Sequence, residues 1–599
     1  MLKRCDSAMW GRGFLLMCVF FLGVVLAFAG PPKLSKDLTG KSGMVDVLVQ
    51  FAQRPTLEMH KRVLNHGGNL KRELHSIHAG VYRLPADKLA ELEKDPAVRY
   101  VSPNRPLSSL GTGGGVPLAL DYHTDTINAP AVWAQGLDGT GIGVAVIDSG
   151  VTPVDDLTAA NIVYTQDFVG DNGGSAADLY GHGTHVSGII AGSGSDSKGR
   201  DKKYTFQGIA PNANIVALRV LDANGSGTDS EVIAAIEQAI ALKDTYNIRV
   251  INLSLGRGVF ESYAQDPLCQ AVEQAWQAGI VVVVSAGNMG RDNDANTGGY
   301  GTVTAPGNDP YVITVGAMNT MGTADRTDDI PASYSSKGPT LWDQVVKPDL
   351  VAPGNLIVSL YNPGETLDVE APGNEVPNLL FQTGGSGNSQ EYFILSGTSM
   401  AAPMVSGSAA LLIQRNPAMT PDQVKAVLMA SAFKQLVPSA TVTDPVSGQT
   451  FAMQADIFTV GAGYLDVQAA LALAAQQLPP AGQTAMSPTA TLDGNGDVVM
   501  TVNGTSVIWG GSVLWGTSVI WGGSVLWGTS TGGESVLWGT NSLASESVLW
   551  GTSSNNADSV LWGTSVLWGT SVLWGTNSPA AEAAFFGDSW PAAKHRTEK

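Results

Sequence analysis

Cysteine is scarce in this chain of 599 residues, which contains only Cys5, Cys18 and Cys269. The first two lie in a predicted export signal, so the mature chain keeps one cysteine and cannot form an internal disulfide. A cluster of thiolate metal ligands is excluded for the same reason. Cys269 lies in the stretch DPLCQAVEQAWQAG, which predicts a helix, and we expect its thiol to be buried and unreactive.

Positive charge is also sparse, because 34 Lys and Arg face 53 Asp and Glu, giving a net charge of −19. Residues 1–110 carry 16 basic and 9 acidic side chains, a balance of +7, which leaves −26 for the rest of the chain. Residues 111–599 are thus strongly acidic, whereas nucleic-acid binding requires a basic face. The basic first segment is instead suited to pair with the acidic remainder of the same chain.

The amino terminus has the pattern of a secretory signal peptide. A basic start precedes the apolar run 14–29, in which Ala27 and Ala29 supply the small residues of a cleavage site. The alternative is an uncleaved membrane anchor, but the apolar core is shorter than the span of about 20 residues that a bilayer requires. We therefore predict a signal peptide over residues 1–29 and a location outside the cell or at its surface.

The rest of the chain divides by pattern. Residues 46–107 alternate short strands with amphipathic helices, and GTGGG follows as an exposed linker. Further along, apolar runs rich in Val and Ile alternate with helical stretches, which indicates a buried, mostly parallel sheet with helices on both faces. The predicted segments are a small α+β unit with its linker, 30–115; an α/β domain, 116–478; a linker, 479–505; a repeat region, 506–576; and a C-terminal tail, 577–599.

Four polar residues lie at the ends of predicted strands and helices. Serine-dependent peptide hydrolysis needs an attacking hydroxyl, an imidazole base, a carboxylate that orients it, and donors for the oxyanion. Asp148 ends the strand GIGVAVIDSG, His182 lies in YGHGTHVSG, and Ser399 follows a glycine turn in LSGTSMAAP. Asn288 closes the strand GIVVVVSAGN, so its amide can reach the oxyanion together with the backbone N–H of Ser399.

Each of these motifs has a structural alternative when it is taken alone. Asp-Ser-Gly is a common turn, and an Asn after a strand is often a cap. The histidines of HGTH could be two zinc ligands, but no acidic or cysteine partner stands at metal spacing, so we predict no metal there. The combination of all four residues is far more specific than any single motif.

The stretches VAVIDSGV, GHGTHVSG, INLSLG, SAGN, YSSKGP, DLVAPG and GTSMAAP resemble the motifs of subtilisin-like serine proteases. The resemblance implies a doubly wound, mostly parallel α/β fold and a secreted serine endopeptidase that acts through an acyl-enzyme. It implies Asp148, His182 and Ser399 as the triad and Asn288 as the oxyanion donor. No cofactor is implied for catalysis. Family members often bind structural calcium, yet no motif here fixes a site.

The resemblance also implies that residues 46–107 form an inhibitor-type propeptide, which assists folding and is removed autocatalytically by a cut between Leu107 and Leu118. Protein or peptide substrates are then expected to pair with two segments of the domain. A largely uncharged pocket would favour an apolar residue before the cut. The residues implied in substrate binding are Gly225, Ser226 and Gly227; Ser254, Leu255 and Gly256; and the pocket residues Ala286, Gly287 and Thr304, with Leu255 shared between the two sets.

Three features depart from compact members of the family. A polar insertion at 361–391 precedes the nucleophile turn and is expected to flank the cleft. Met404 stands where the family more often has histidine, and His185 has no catalytic counterpart, so we expect it to be structural. The stretch DANGSGTDSE imitates a calcium loop, but an EF-hand would need glutamate at Ile233.

The repeat region contains nine copies of Ser-Val-(Ile/Leu)-Trp-Gly, which hold nine of the 14 tryptophans of the chain. Such repeats favour a stacked β-array or solenoid, and the alternative is a low-complexity segment that orders on a partner. Exposed tryptophans would suit contacts with glycans, a cell surface or another copy. Two functions remain open: a secreted endopeptidase, and an adhesion or structural protein built on an inactive protease scaffold. The intact set of four residues favours the endopeptidase.

Overall fold

The computed structural model describes residues 32–110, 122–294, 297–443, 448–476 and 484–492, with 478–479, 481–482, 498–501 and five short strands of the repeat region. The predicted signal peptide and most of the repeat region lie outside the described residues. Within the described part of the chain, no helix combines the length and apolarity that crossing a membrane requires.

The N-terminal residues form a small α+β unit around an antiparallel sheet of four strands. The helix Leu57–Leu64 begins at Thr56, whose hydroxyl accepts from the N–H of Met59. Together with the short helix Leu89–Lys94 it covers one face of the sheet and encloses a separate apolar core. In sheet order, the strands are Asn69–Leu74, Ala79–Pro85, Met44–Phe51 and Val98–Pro103.

The other face of this small sheet packs on the main domain. Leu48, Leu74 and Val81 are buried in the same apolar cluster as the core of that domain. Polar contacts cross the interface as well: Gln50 Nε2 donates to Gln270 Oε1 at 2.8 Å, and the backbone N–H of Ser76 donates to a carboxylate of the main domain. The two faces of one sheet therefore serve two different cores.

The main domain is built on a sheet of eight strands, parallel except for one edge strand. Its central strands are fully buried runs of Val, Ile and Ala, as expected for a sheet that is covered on both faces. In sheet order, the strands are Ile330–Pro331, Ile313–Asn319, Val281–Ser285, Ile248–Leu253, Gly143–Asp148, Asn214–Arg219 and Ile162–Asp167, with Leu350–Pro353 also pairing with Ile313–Asn319.

Helices cover the two faces of the sheet in separate pairs. The helices His182–Ala191 and Thr398–Arg415 pack together on one face, and Asp229–Tyr246 packs with Pro267–Gln277 on the other. The helix Pro267–Gln277 begins with proline, and the carboxylate of Asp266 accepts from its second residue, which stabilises the start. The helices Pro421–Ser431 and Val467–Gln476 also belong to the domain, as do the short helices His123–Thr126, Ala129–Trp133 and Ile457–Val460.

The insertion at 361–391 folds onto the domain. It holds the short helices Thr366–Glu370 and Asn378–Phe381 and the strand Glu375–Pro377. The strand Asn388–Leu395 pairs with that strand and with Ile357–Leu360 to form a sheet of three strands.

Part of the segment predicted as a linker is docked on the domain rather than extended. Ser487 donates to the buried carboxylate of Asp349 at 2.5 Å, and the backbone of residues 488–490 pairs with residues 344–346. Asp349 also binds the buried ammonium groups of Lys347 and Lys425. The segment 484–492 thus covers a buried charge cluster of the domain and adds a hydrogen bond to its carboxylate.

In the repeat region, three copies of Ser-Val-Leu-Trp form parallel strands in register. Identical residues stand beside each other, as in Val525, Val536 and Val548, which is the pattern of a stacked array. The strands are Ser524–Trp527, Ser535–Trp538 and Ser547–Trp550. The remaining copies lie outside the described residues, so an ordered β-array over the whole region stays a prediction.

Candidate active site

Asp148 and His182 form a buried hydrogen-bonded pair. Asp148 is the last residue of a central strand, and its Oδ1 lies 2.7 Å from Nδ1 of His182. Both side chains are completely buried. The same Oδ1 accepts from the N–H of Ser149 at 2.7 Å, which fixes the carboxylate. This arrangement holds the Nδ1–H tautomer of the imidazole and leaves Nε2 as a proton acceptor.

A second buried carboxylate shapes the loop that leads to His182. Asp178 Oδ1 accepts from the N–H groups of Tyr180 and Gly181 at 3.0 and 2.8 Å, and Oδ2 accepts from Thr184 N–H at 2.8 Å. Gly181, with φ of 104°, lies in the left-handed region that glycine adopts without strain. Asp178 therefore ties the loop to the first turn of the helix that carries His182.

Ser399 is the second residue of the helix Thr398–Arg415, and the sheet fixes its backbone. Asn252 Nδ2 donates to Ser254 Oγ, and that hydroxyl donates to the carbonyl of Ser399, both at 2.9 Å. The Oγ of Ser399 donates to the Ser254 carbonyl at 3.0 Å. Among the described residues, Nε2 of His182 has no hydrogen-bond partner, so the serine and the imidazole are not joined in this state.

Asn288 lies beside Ser399 with its side chain held in one orientation. Its Oδ1 accepts from the N–H and hydroxyl of Thr398 at 2.9 and 3.0 Å, so the Nδ2 amide must face the cleft. That amide donates to the backbone carbonyl of Leu110. An amide that binds a carbonyl next to a serine hydroxyl is the arrangement that stabilises an oxyanion.

The chain segment before Leu110 occupies the cleft as an added strand. The strand Pro106–Ser109 lies between Ser226–Thr228 and Leu255–Gly256 and is antiparallel to both. At its end, Ser109 N–H donates to the Gly225 carbonyl at 3.0 Å, and Leu110 N–H points to the Ser254 carbonyl. The two segments predicted to bind substrate thus pair with the backbone of the chain itself.

The remaining predicted residues line the space at Leu110. A Cβ added to Gly256 would come within 3.2 Å of the Leu110 side chain and 2.7 Å of the Thr304 hydroxyl. A Cβ at Gly287 would also meet Thr304, whose N–H donates to the Ala286 carbonyl. The two glycines therefore keep a pocket open. Leu255 is fully buried in the core beneath it.

Sequence reasoning did not find Thr398, Asn252, Asp178 or Tyr180 as parts of this site. Thr398 lies in GTSMAAP and Asn252 in INLSLG, so the same motifs contained them, but only the fold shows what each one holds. A Cβ on Gly225 would lie 2.6 Å from the Tyr180 ring and 2.9 Å from the Ser109 hydroxyl, so the ring packs against this glycine beside Ser109.

Several residues that stood out in the sequence lie outside the candidate active site or are buried in the core. His185 is buried, and its Nε2 bonds to the Phe393 carbonyl at 3.1 Å. Burial lowers the pKa of His185 to about 3, so the ring stays neutral. Met404 is fully buried in the core, and Cys269 is buried and free, with its pKa raised by burial. Asp222 of DANGSGTDSE accepts from two backbone N–H groups of its own loop.

One cluster has the oxygen ligands that a hard cation prefers. Oxygen atoms of Asp155, Asp196 and Glu391 lie within 4.8 Å of one another. Burial is the largest cause that raises the pKa of Glu391 to about 7, with the neighbouring carboxylates adding to the effect. Acidic clusters of this kind are also common on protein surfaces that bind no ion.

The insertion places another carboxylate next to the histidine loop. Glu365 is buried, and its Oε2 lies 3.0 Å from the position that a Cβ of Gly181 would take. Burial raises the pKa of Glu365 from its ordinary value of 4.5 to about 9, and the negative charge of Asp178 adds to the shift. The predicted position of the insertion beside the cleft agrees with these contacts.

Glu365→Gln should therefore make the protein more resistant to alkaline pH. Folding raises the pKa of Glu365 from 4.5 to about 9. Its contribution to the free energy of unfolding is therefore fully present below about pH 4.5 and is lost as pH rises toward 9. Glutamine keeps an acceptor oxygen but cannot ionise, so its advantage should grow from pH 6 to 9.5, reaching on the order of a few kcal/mol. Thermal unfolding in a Ser399→Ala background, which prevents self-digestion, measures the difference.

The matched control for this prediction is Glu370→Gln, which changes an exposed carboxylate of the same insertion. It should leave the pH dependence of the melting temperature as it is in the parent protein. Parallel curves for the parent protein and Glu365→Gln would mean that Glu365 is ionised in the folded state and would refute the prediction.

A carboxylate–imidazole pair, a buried serine and an amide aimed at a peptide carbonyl are the groups that a serine protease uses. Comparison with known proteins agrees: the model of the subtilase family matches residues 139–463. The serine protease AprX of Bacillus subtilis (strain 168) is 39% identical over 320 residues, 52% of this chain and 66% of that protein. Subtilisin E of the same strain is 34% identical over 398 residues, 66% of this chain and 86% of that protein.

The chain therefore belongs to the subtilase family and is a serine endopeptidase. The crystal structure of fervidolysin from Fervidobacterium pennivorans, described as a keratinolytic enzyme related to subtilisin, aligns with a TM-score of 0.56 and 24% identity. The alignment covers 79% of this chain and 68% of the fervidolysin chain. This likeness confirms the predicted doubly wound fold. The relatives named here are proteases and lend no support to an inactive adhesion scaffold.

Proposed function

We propose that the protein is a secreted endopeptidase that cuts its own precursor between Leu110 and Gly111 and then hydrolyses other polypeptides at the same site. The observation that carries this proposal is the hydrogen bond from Asn288 Nδ2 to the Leu110 carbonyl, beside Ser399. A carbonyl in that position is the one that a nucleophile at Ser399 would attack. Leu110 lies within the interval that the sequence allows for the cut.

In the proposed reaction, Ser399 Oγ turns from the Ser254 carbonyl toward Nε2 of His182. The hydroxyl proton moves to Nε2 as Oγ bonds to the Leu110 carbonyl carbon, and Asp148 stabilises the imidazolium that forms. The carbonyl oxygen becomes an oxyanion held by Asn288. Its collapse breaks the bond to the nitrogen of Gly111, which takes the proton from His182, and leaves an ester between Leu110 and Ser399. Water then hydrolyses the ester in the same way.

After the cut, residues 32–110 would remain as an inhibitor because they fill the cleft and bury apolar surface on the domain. The antiparallel pairing of Pro106–Ser109 supports this role. Release of the unit would open the same backbone groups to substrate. The signal pattern of residues 1–29 supports secretion, and the tryptophan repeats support a tail that contacts a surface, a glycan or another copy.

Self-processing provides the test of this proposed function. Purified precursor should convert to a protein whose N-terminus is Gly111, as read by mass spectrometry of intact chains and peptides. Leu110→Asp should slow the conversion by at least about tenfold, because the pocket offers no partner for a charge. The control is Ser108→Asp, since the side chain of Ser108 is exposed in the strand and should tolerate the change.

A mature N-terminus elsewhere in the stretch 111–118, or an unchanged rate in Leu110→Asp, would contradict the position of the cut. A precursor that never cuts itself and a preparation that hydrolyses no peptide would contradict the function as a whole.

A further inference from the structure

The segment 105–110, which lies in the cleft, shows that the cleft binds six residues before the proposed cut. The backbone carbonyl of Arg105 accepts from Asp229 N–H at 3.0 Å, which continues the ladder of the strand Pro106–Ser109. Burial alternates along this stretch: Arg105 and Leu107 face the protein, whereas Pro106 and Ser108 are exposed. Because the ladder uses only backbone groups, any substrate bound in this register brings its sixth residue to the place of Arg105.

The guanidinium of Arg105 binds two carboxylates: its Nε donates to Asp37 of the N-terminal unit at 2.9 Å, and both terminal nitrogens donate to Glu261 of the main domain. The terminal nitrogens lie 2.7 and 2.6 Å from the two oxygens of Glu261, and the guanidinium carbon lies 4.9 Å above the Phe260 ring. Arg105 is 2% exposed and Glu261 is 6% exposed. A forked ion pair that also stacks on an aromatic ring is a geometry specific to arginine.

Every other hydrogen bond that the structure gives Glu261 also comes from the small N-terminal unit. Ser35 Oγ and Tyr100 OH donate to Oε2 at 2.8 and 3.0 Å. When that unit leaves, these partners leave with it, and the carboxylate opens onto the end of the cleft. Phe260 is already 43% exposed beside it, so the mature protein presents an anion next to an aromatic face.

We propose that Glu261 and Phe260 form a binding subsite for an arginine side chain six residues before the scissile bond. The inference rests on the proposed function, because it takes Leu110 as the residue before the cut. Extended polypeptides with a guanidinium at this distance are therefore preferred substrates. Lysine should be weaker, since an ammonium group cannot bind both carboxylate oxygens in the forked geometry.

The test uses the mature wild-type enzyme and an internally quenched peptide, Arg-Pro-Leu-Ser-Ser-Leu-Gly-Thr-Gly-Gly, which copies residues 105–114. A matched peptide carries glutamine in place of the arginine. We expect kcat/KM to be about fivefold higher for the arginine peptide at low salt. The ratio should fall toward one in 1 M NaCl, since salt screens an ion pair that the departed N-terminal unit no longer covers. A peptide with the arginine moved to the exposed next position should behave like the glutamine peptide.

Variants assign the preference to Glu261. In Glu261→Gln the ratio between the arginine and glutamine peptides should fall to about one, and in Glu261→Arg a peptide with glutamate in that position should become the better substrate. If these variants mature poorly for lack of the Arg105 pair, a trace of tagged wild-type enzyme cuts their precursors in trans and is then removed. The mature Glu261→Arg protein should show the reversed preference.

Equal hydrolysis of the arginine and glutamine peptides by wild-type enzyme at low salt would overturn the inference and leave Glu261 as an anchor for the N-terminal unit alone. That result differs from a failure of the proposed function, in which no peptide of the series would be hydrolysed at all. A preference that survives in Glu261→Gln would likewise overturn the assignment.

Discussion

Ser399→Ala should lower kcat for peptide hydrolysis by about 10⁶-fold, the size of loss that removal of this serine causes in subtilisin itself. The alanine chain should also remain a precursor, with residues 32–110 still attached. The reason is that Ser399 is the serine that the family motif assigns as nucleophile, and it directly follows Thr398, whose N–H and hydroxyl hold the Asn288 side chain. What activity remains would come from water and the oxyanion donors alone.

The measurement needs an open cleft, which the variant cannot make for itself. Its precursor is therefore cut in trans by a trace of tagged wild-type enzyme, which is then removed before kcat is measured on the quenched peptide. The control is Ser408→Ala, a buried serine of the same helix whose hydroxyl donates to the Met404 carbonyl at 2.7 Å. Activity in Ser399→Ala above about 1% of wild type would contradict the assignment of the nucleophile.

Asp148→Asn should lower kcat by about 10⁴-fold with little change in the fold, as in other serine proteases. The carboxylate oxygen 2.7 Å from Nδ1 of His182 keeps the ring proton on Nδ1. An amide NH₂ in its place would donate to Nδ1 and move the ring proton to Nε2. A protonated Nε2 cannot accept the proton of Ser399. The loss therefore arises from the tautomer and from the lost charge that stabilises imidazolium.

The same quenched peptide measures this effect, with circular dichroism of thermal unfolding to show that the fold is intact. Asp244→Asn serves as the control, because Asp244 is exposed near the end of a helix of the main domain. A mature Asp148→Asn protein that keeps a tenth or more of wild-type kcat would show that the histidine does not depend on this carboxylate.

Much of the fold was predictable because its elements carry strong local signals. The buried strands Gly143–Asp148, Asn214–Arg219 and Val281–Ser285 are continuous runs of apolar, mostly β-branched residues, and glycine turns separate them from helices. The strand Asn69–Leu74 was not predicted. Its sequence NLKREL is largely polar because the strand lies at the edge of the small sheet, where its exposed side chains need not be apolar.

The docked segment 484–492 was missed for another reason. Its sequence TAMSPTATL has no helical or strand periodicity, which indicates a loop, and nothing local reveals that Ser487 will reach the carboxylate of Asp349. That contact joins residues 138 positions apart and depends on where the sheet ends. The charge balance of the N-terminal segment did suggest docking, and the ion pair of Arg105 with Glu261 is one contact of that kind.

The sequence by itself determined the sheet, its helices and the residues at their ends, because strand and helix signals are local and place Asp148, His182, Asn288 and Ser399 at predictable points of the backbone. Only the tertiary structure decided which distant groups meet: the Leu110 carbonyl at the Asn288 amide, Glu365 beside the histidine loop, and Glu261 at the guanidinium of Arg105. These contacts join distant parts of the chain. Packing creates both their distances and their burial, and neither is encoded in a short stretch of sequence.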